Sequence, residues 1–221
     1  MLKSILLSAA MLAPATAFAA PECTSVGTND SVTAQHVAPM RQALPTWVAP
    51  VGKTTIFDTL GNHDHYDANK GWTVSNATSG AGVQQWVAFA ITPTADATIT
   101  EIVEAVSYVG FIAGANTVTV ALLADNGGIP GAVLQEKTVK NIESFAECCA
   151  VAVDHLATGV PVTAGATYWV AALLPFKGES DTYDAWNFSS ANTNNGTLAC
   201  FNGSAWTVTS GHYAAFAVYG N

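Results

Sequence analysis

Two short stretches hold the residue types that could do chemistry. "DTYDAWNFS", residues 181–189, sets Asp181 and Asp184 around Tyr183 and continues into Trp186 and Asn187. "DHYDANKGW", residues 64–72, repeats the pattern with Asp64, Tyr66 and Asp67 before Trp72. On an extended strand, Asp at i and i+3 point to opposite faces, so the two carboxylates converge only if the chain turns there. A turn that opens a strand would use the Asp side chains to cap their own backbone. A calcium site would use Asp181, Asp184 and nearby carbonyls as hard oxygen ligands. A glycoside hydrolase would need two carboxyls roughly 5–10 Å apart across a sugar cleft, which spacing in sequence does not set. Strand entry is the expected role; Asp181 and Asp184 are the candidate metal ligands and calcium the candidate cofactor. His63 and His65 in "GNHDHYD" would share one strand face and could hold a metal with Asp64 or Asp67, but His36, His155 and His212 lie in unrelated segments and supply no third ligand nearby.

Aromatic residues offer a second chemistry. "DAWNFSSANTNNG" and "NGSAWTVTSGHY" place Trp186 and Trp206 among Asn, Asp and Ser. An indole in such surroundings can stack on a sugar ring while amides and carboxylates bond the hydroxyls. Tyr183, Trp186, Asn187 and Trp206 are therefore the candidate ligand-binding residues, with core packing as the competing role. Trp169, between Tyr168 and Val170, is assigned to the core. No residue is assigned as catalytic: a Gly-x-Ser-x-Gly elbow is missing, and the glycines of "SGAG" lack the Lys-Ser/Thr and helix of a phosphate loop.

These residues must be positioned by strands. "VQQWVAFAI" (83–91) puts Val87 and Phe89 on one face and Trp86, Ala88 and Ala90 on the other. "NTVTVALLAD" (116–125) alternates Val118, Val120 and Leu122 inward with Thr117 and Thr119 outward, and "DNGGIPG" supplies an Asn-Gly turn into a returning strand, "AVLQEKTV". "TYWVAALL" sets Tyr168, Val170, Ala172 and Leu174 on one side. "ITEIVEAVSYVGFI" fits a helix by the spacing of Ile99, Ile102, Val103 and Val106, but its Val, Ile, Thr and Tyr content favours a strand. The expected fold is all-β: a jelly-roll-like antiparallel β-sandwich of about ten strands.

"MLKSILLSAAMLAPATAFAA" has an early cation, an apolar run and Ala-x-Ala, the order of a secretory signal peptide spanning residues 1–19. Its apolar run is shorter than the roughly 20 residues that cross a bilayer. Residues 20–52, rich in Pro, Ser and Thr, form a linker or arm that Trp47 packs onto the domain, and residues 53–221 form the sandwich. Past the signal, six cations stand against sixteen acids, a net charge of −10 that repels phosphate backbones and sets nucleic acid aside as a partner. No later stretch anchors the mature chain in a membrane. Cys23, Cys148, Cys149 and Cys200 are the disulfide candidates in an oxidising compartment. Adjacent strand residues point oppositely, so either Cys148 and Cys149 pair separately with Cys23 and Cys200, or they bond to each other.

The succession "DHYDANKGWTV", "TITEIVEAVSYV", "NTVTVALLADNGGIPGAVL", the "CC" pair, "VPVTAGATYWVAALL" and "DTYDAWNFS" resembles the choice-of-anchor R type domain of exported bacterial proteins, over roughly residues 54 to 220. The resemblance implies a jelly-roll-like sandwich and an extracellular or surface location. Members often end in a sorting signal; "FAVYGN" does not match one, which favours a freely secreted or matrix-associated protein. The family brings no biochemical activity with it. The expected function is a secreted, non-catalytic module that binds an extracellular or cell-surface glycan, with polysaccharide the favoured ligand class. A self-associating matrix protein is the alternative, and a polysaccharide hydrolase the third.

Overall fold

The structure, a computed structural model, describes residues 22–27, 47–61, 66–109, 116–147, 150–174 and 183–221. The expected signal segment 1–19, His63, Asp64, His65, Cys148, Cys149 and Asp181 lie outside them. The described residues form no helix and fifteen strands: β1 (Ser25–Gly27), β2 (Thr54–Asp58), β3 (Tyr66–Ser75), β4 (Trp86–Ile91), β5 (Ala97–Glu104), β6 (Val106–Tyr108), β7 (Thr117–Asp125), β8 (Pro130–Lys140), β9 (Glu143–Ser144), β10 (Ala152–Val162), β11 (Tyr168–Leu173), β12 (Tyr183–Ser189), β13 (Asn195–Phe201), β14 (Trp206–His212) and β15 (Phe216–Gly220).

They build three sheets. One has six strands in the order β14-β13-β4-β11-β7-β8, one has four in the order β10-β5-β15-β2, and one has five in the order β1-β3-β12-β6-β9. All pairings are antiparallel except the short one between β6 and β9. The alternation that predicts β4, β7 and β11 is the alternation they adopt. Val87, Phe89, Ile91, Val118, Val120, Leu122, Val170 and Ala172 from the six-stranded sheet share one core with Ile99, Ile102 and Phe216 of the four-stranded sheet and Val74 and Trp186 of the five-stranded one.

The four- and five-stranded sheets meet at a seam. β5 runs into β6 through Ala105, whose N–H donates to the carbonyl of Ala215; the N–H of Ala215 donates to Asn187, and that of Asn187 donates to the carbonyl of Ala105.

The number of strands exceeds the expected ten for local reasons. β1 and β6 have three residues and β9 two, too few to show alternation. β3 is interrupted by Gly71, where a Cβ would come within 2.6 Å of the Trp186 carbonyl oxygen, so only glycine lets β12 approach. β10 contains Gly159 at φ +67° and Pro161, which look like a turn in sequence but mark a shift of register against β5. A further shift between β15 and β5 falls at the same place, beside Ile99. It explains why Ile99 and Ile102, three apart, both face the core and mimic a helical period. In the turn from β7 to β8 the positive φ angles fall on Gly127 and Gly128, with Asp125 accepting from the N–H of Gly128.

Trp47 packs on the outward face of the four-stranded sheet, its ring 5.8 Å from that of Tyr219. Nearby, one oxygen of Glu101 accepts from Lys53 Nζ and also meets His155 Nδ1, each at 2.8 Å.

Candidate functional site

The Tyr-Asp half of each repeat opens a strand. Tyr66 is the first residue of β3 and Tyr183 the first of β12, and these two strands pair antiparallel with Ser189 opposite Tyr66 and Ser75 opposite Tyr183. The two motifs therefore sit at opposite ends of one ladder, roughly 20 Å apart at ~3.3 Å per residue. Asp67 accepts from the N–H of Asn69, a local turn bond. Asp184 is not in a loop: it is the second residue of β12 and fully buried, on the same side of the strand as Trp186. The calcium cradle expected from Asp181 and Asp184 is corrected on this point, since its described member faces the interior.

Three of the four expected ligand-binding residues are also corrected. Trp186 is 0% exposed, with its ring 5.6 Å from Phe89 and 5.4 Å from Phe216 and its indole N–H donating to the carbonyl of Ala215 at 3.3 Å. Asn187 is fully buried; its amide donates to the Asp67 carbonyl at 3.0 Å and its side-chain oxygen accepts from Ser107 at 2.7 Å. Tyr183 is buried with Val26, Val109, Phe145 and Ala185. No ligand in solvent reaches these three side chains. The polar neighbours that suggested a loop satisfy one another, and the backbone, at the seam between sheets.

Trp206 is different. It begins β14, is half-buried, and stands on the six-stranded sheet's outward face. The register places it opposite Phe201 of β13, and Phe201 opposite Trp86 of β4. The rings of Trp86 and Phe201 stack with centroids 4.9 Å apart, and Phe201 and Trp206 follow at 5.4 Å. Beyond Trp86 the row continues with Leu173 of β11, which pairs with Thr119 of β7, which pairs with Thr138 of β8. The two threonine hydroxyls are 3.0 Å apart. The row crosses all six strands, about 24 Å at an interstrand spacing of ~4.8 Å. At its β8 end Trp86, Thr119, Thr138, Leu173, Glu136 and Lys137 line an open cleft of about 490 Å³.

Beside this row lies a floor of small residues. Ala199, Ala88, Ala171 and Ala121 occupy successive positions on β13, β4, β11 and β7. On the far side of the floor Trp169 is buried against these alanines and Leu123, and its indole N–H donates to Asp125 at 2.8 Å. Trp169 is therefore buried as expected, though on the outward side of the sheet. Alanine at these positions lets the rings of Trp86, Trp169 and Trp206 pack over them, which leaves all four alanines fully buried.

The row is held from below. Cys23 and Cys200 form a disulfide across 177 residues, next in sequence to Phe201. Gln85, next to Trp86, accepts from the N–H of Thr24 and donates to the carbonyls of Thr24 and Thr73, each at 2.8 Å. At the tip between β13 and β14, Asn202 accepts from the N–H groups of Ser204 and Ala205, each at 3.1 Å, which sets where Trp206 begins its strand.

Two carboxylates that do come together are sealed in the core. Glu104 and Asp154, from β5 and β10, are both fully buried, and Gln135 donates to Asp154 at 3.3 Å. Burial, then the charge of Asp154, hold the Glu104 carboxyl well above the usual carboxylate range. Because the folded value exceeds the unfolded one, the native state keeps a proton that the unfolded chain gives up. The contribution of Glu104 to stability is fully present below about pH 4.3 and is lost as pH rises through the folded value, by ~1.4 kcal/mol per pH unit across that window. Glu104→Gln is expected to flatten this loss, and urea midpoints of the variant and the wild type at pH 5 and pH 9 measure it.

No group of three or more His, Cys, Asp or Glu that could hold a metal occurs among the described residues. No family model, curated protein or solved structure matches the chain.

Proposed function

We propose that this protein is a secreted, non-catalytic module with a jelly-roll-like sandwich fold that binds polysaccharide through the aromatic row Trp86, Phe201 and Trp206. The observation that carries the proposal is this line of half-buried rings crossing the strands beside an open cleft edged by hydroxyl and charged groups. Apolar ring faces meet the apolar faces of sugars, and Thr138 and Glu136 stand at one end of the row where they can bond hydroxyls. Because the row runs straight across the strands, it suits a linear chain better than a compact head group. The net charge of −9 favours a neutral glycan over a uronate or sulfate polymer. Export is supported by the signal-like N-terminus together with the Cys23–Cys200 disulfide, since such bonds persist in oxidising compartments.

An array of neutral and acidic polysaccharides tests the proposal. Binding to at least one neutral linear glycan is expected, and Trp86→Ala or Trp206→Ala should weaken it by at least about tenfold, the loss typical of a ring at the centre of a binding surface. EDTA should leave binding unchanged, because Asp184 belongs to a different sheet and faces the core. An array blank for every glycan would end the proposal.

A further inference from the structure

Asparagine followed by glycine can rearrange without an enzyme. The glycine nitrogen, once it has lost its proton, attacks the asparagine side-chain carbonyl carbon, and the absence of a Cβ on glycine leaves the approach open. The sequence holds three such pairs, Asn126-Gly127, Asn195-Gly196 and Asn202-Gly203. The fold treats them differently. Asn195 and Gly196 lie in β13, opposite His212 and Gly211, and the ring of Tyr213 fills the space beside the buried Gly196. Closing a ring there would pull Gly196 out of a paired ladder. Asn202 is exposed, but its side-chain oxygen accepts from the N–H groups of Ser204 and Ala205, each at 3.1 Å, and from the Ser204 hydroxyl at 2.9 Å. A side chain held by three bonds is not free to swing onto the Gly203 nitrogen. Gly203 is crowded as well, with Gln84 Oε1 2.7 Å from where its Cβ would stand.

Asn126 is held by neither device. It sits exposed at the tip between β7 and β8, where Gly127 and Gly128 take φ +68° and +90° and a Cβ on either would meet nothing within 4 Å. The flanks of the tip are fixed: the Asn126 N–H donates to the Ile129 carbonyl and the Gly128 N–H to Asp125, each at 2.9 Å. Among the described residues, neither the Asn126 side chain nor the Gly127 N–H has a hydrogen-bond partner. The two groups that must react are therefore adjacent, unengaged and in open solvent.

We propose that Asn126 is a self-modification site, at which the folded chain converts asparagine to aspartate and isoaspartate with water as the only other reactant. The Gly127 nitrogen gives its proton to solvent and bonds to Asn126 Cγ, the bond from Cγ to the amide nitrogen breaks, and ammonia leaves. Water then opens the five-membered imide. Opening at Cγ restores the ordinary main chain with an aspartate, whereas opening at the main-chain carbonyl carbon routes the chain through Cβ and Cγ as isoaspartate. No electrons are exchanged. Each conversion adds one negative charge to a chain already at −9, next to Asp125, which also accepts from the Trp169 indole N–H at 2.8 Å. The inference does not depend on what the rings bind.

Peptide mapping by mass spectrometry of the full-length folded protein, held in mildly alkaline buffer made with heavy-oxygen water, tests it. Aspartate and isoaspartate carrying one heavy oxygen should accumulate at position 126 while Asn195 and Asn202 stay intact. The same incubation in urea should convert all three at similar rates, because the fold no longer sets them apart. Asn126→Gln should remove the product at 126 and create none at 195 or 202. Conversion of Asn195 or Asn202 as fast as Asn126 in the folded protein, an Asn126 that stays intact while the urea-unfolded chain converts, or the same preference for Asn126 in urea as in buffer would overturn the inference.

Discussion

Trp186→Ala is expected to lower the unfolding free energy by about 3–5 kcal/mol, the range for removing a large aromatic from a packed core. The ring is fully enclosed, in edge contact with Phe89 from the six-stranded sheet and tilted against Phe216 from the four-stranded one. It is thus a joint between all three sheets, and the cavity left by its loss would be bordered by elements that cannot all close in. Its indole bond to Ala215 reinforces the seam where Asn187, Ala105 and Ala215 exchange backbone bonds. Denaturant unfolding at neutral pH measures the loss. At temperatures where the variant remains folded, its glycan affinity should equal that of the wild type, which separates a core residue from a contact residue.

Removing the Cys23–Cys200 bond is the second large change. A crosslink over 177 residues restricts the unfolded chain by about 5 kcal/mol in the loop-entropy treatment, and losses of ~2–5 kcal/mol are usual when a native disulfide is removed from a small secreted domain. The effect should also reach the proposed binding surface. Cys200 adjoins Phe201, and Thr24, next to Cys23, bonds Gln85 beside Trp86. The Cys23→Ser/Cys200→Ser variant is therefore expected to unfold at lower denaturant and to bind glycan more weakly even while folded. An unchanged midpoint would show that the bond restrains little in the unfolded chain.

Much of the architecture was legible from alternation alone. Residues 86–91, 117–125 and 168–173 each alternate in phase, with Val87, Phe89, Val118, Val120 and Val170 on one side and Trp86, Trp169 and Leu173 among alanines and threonines on the other, and the glycines after Asn126 mark the turn between β7 and β8. Strands whose pattern is broken by close approach or by a bulge were hidden: Gly71 in β3, and Gly159 with Pro161 in β10. The proposed binding surface was half legible. Ala88, Ala121, Ala171 and Ala199 all occupy outward phases, small residues that rings can cover, and Trp86 shares that phase. What alternation does not supply is register, and only register aligns Trp86, Phe201 and Trp206. Trp186 misleads for a related reason. Polar neighbours resemble a solvent-facing loop until Asn187, Ser107 and Asp67 are seen to satisfy each other inside the protein.

The six tryptophans give a direct way to ask which rings meet ligand. Indole N–H signals of nitrogen-labelled protein, assigned by single substitutions and followed while a neutral linear oligosaccharide is added, report each ring separately. The signals of Trp86 and Trp206 should shift in proportion to occupancy while those of Trp186 and Trp72, both engaged with backbone carbonyls, stay in place. Movement of Trp186 with Trp86 and Trp206 unmoved would contradict a site on the outward face of the six-stranded sheet.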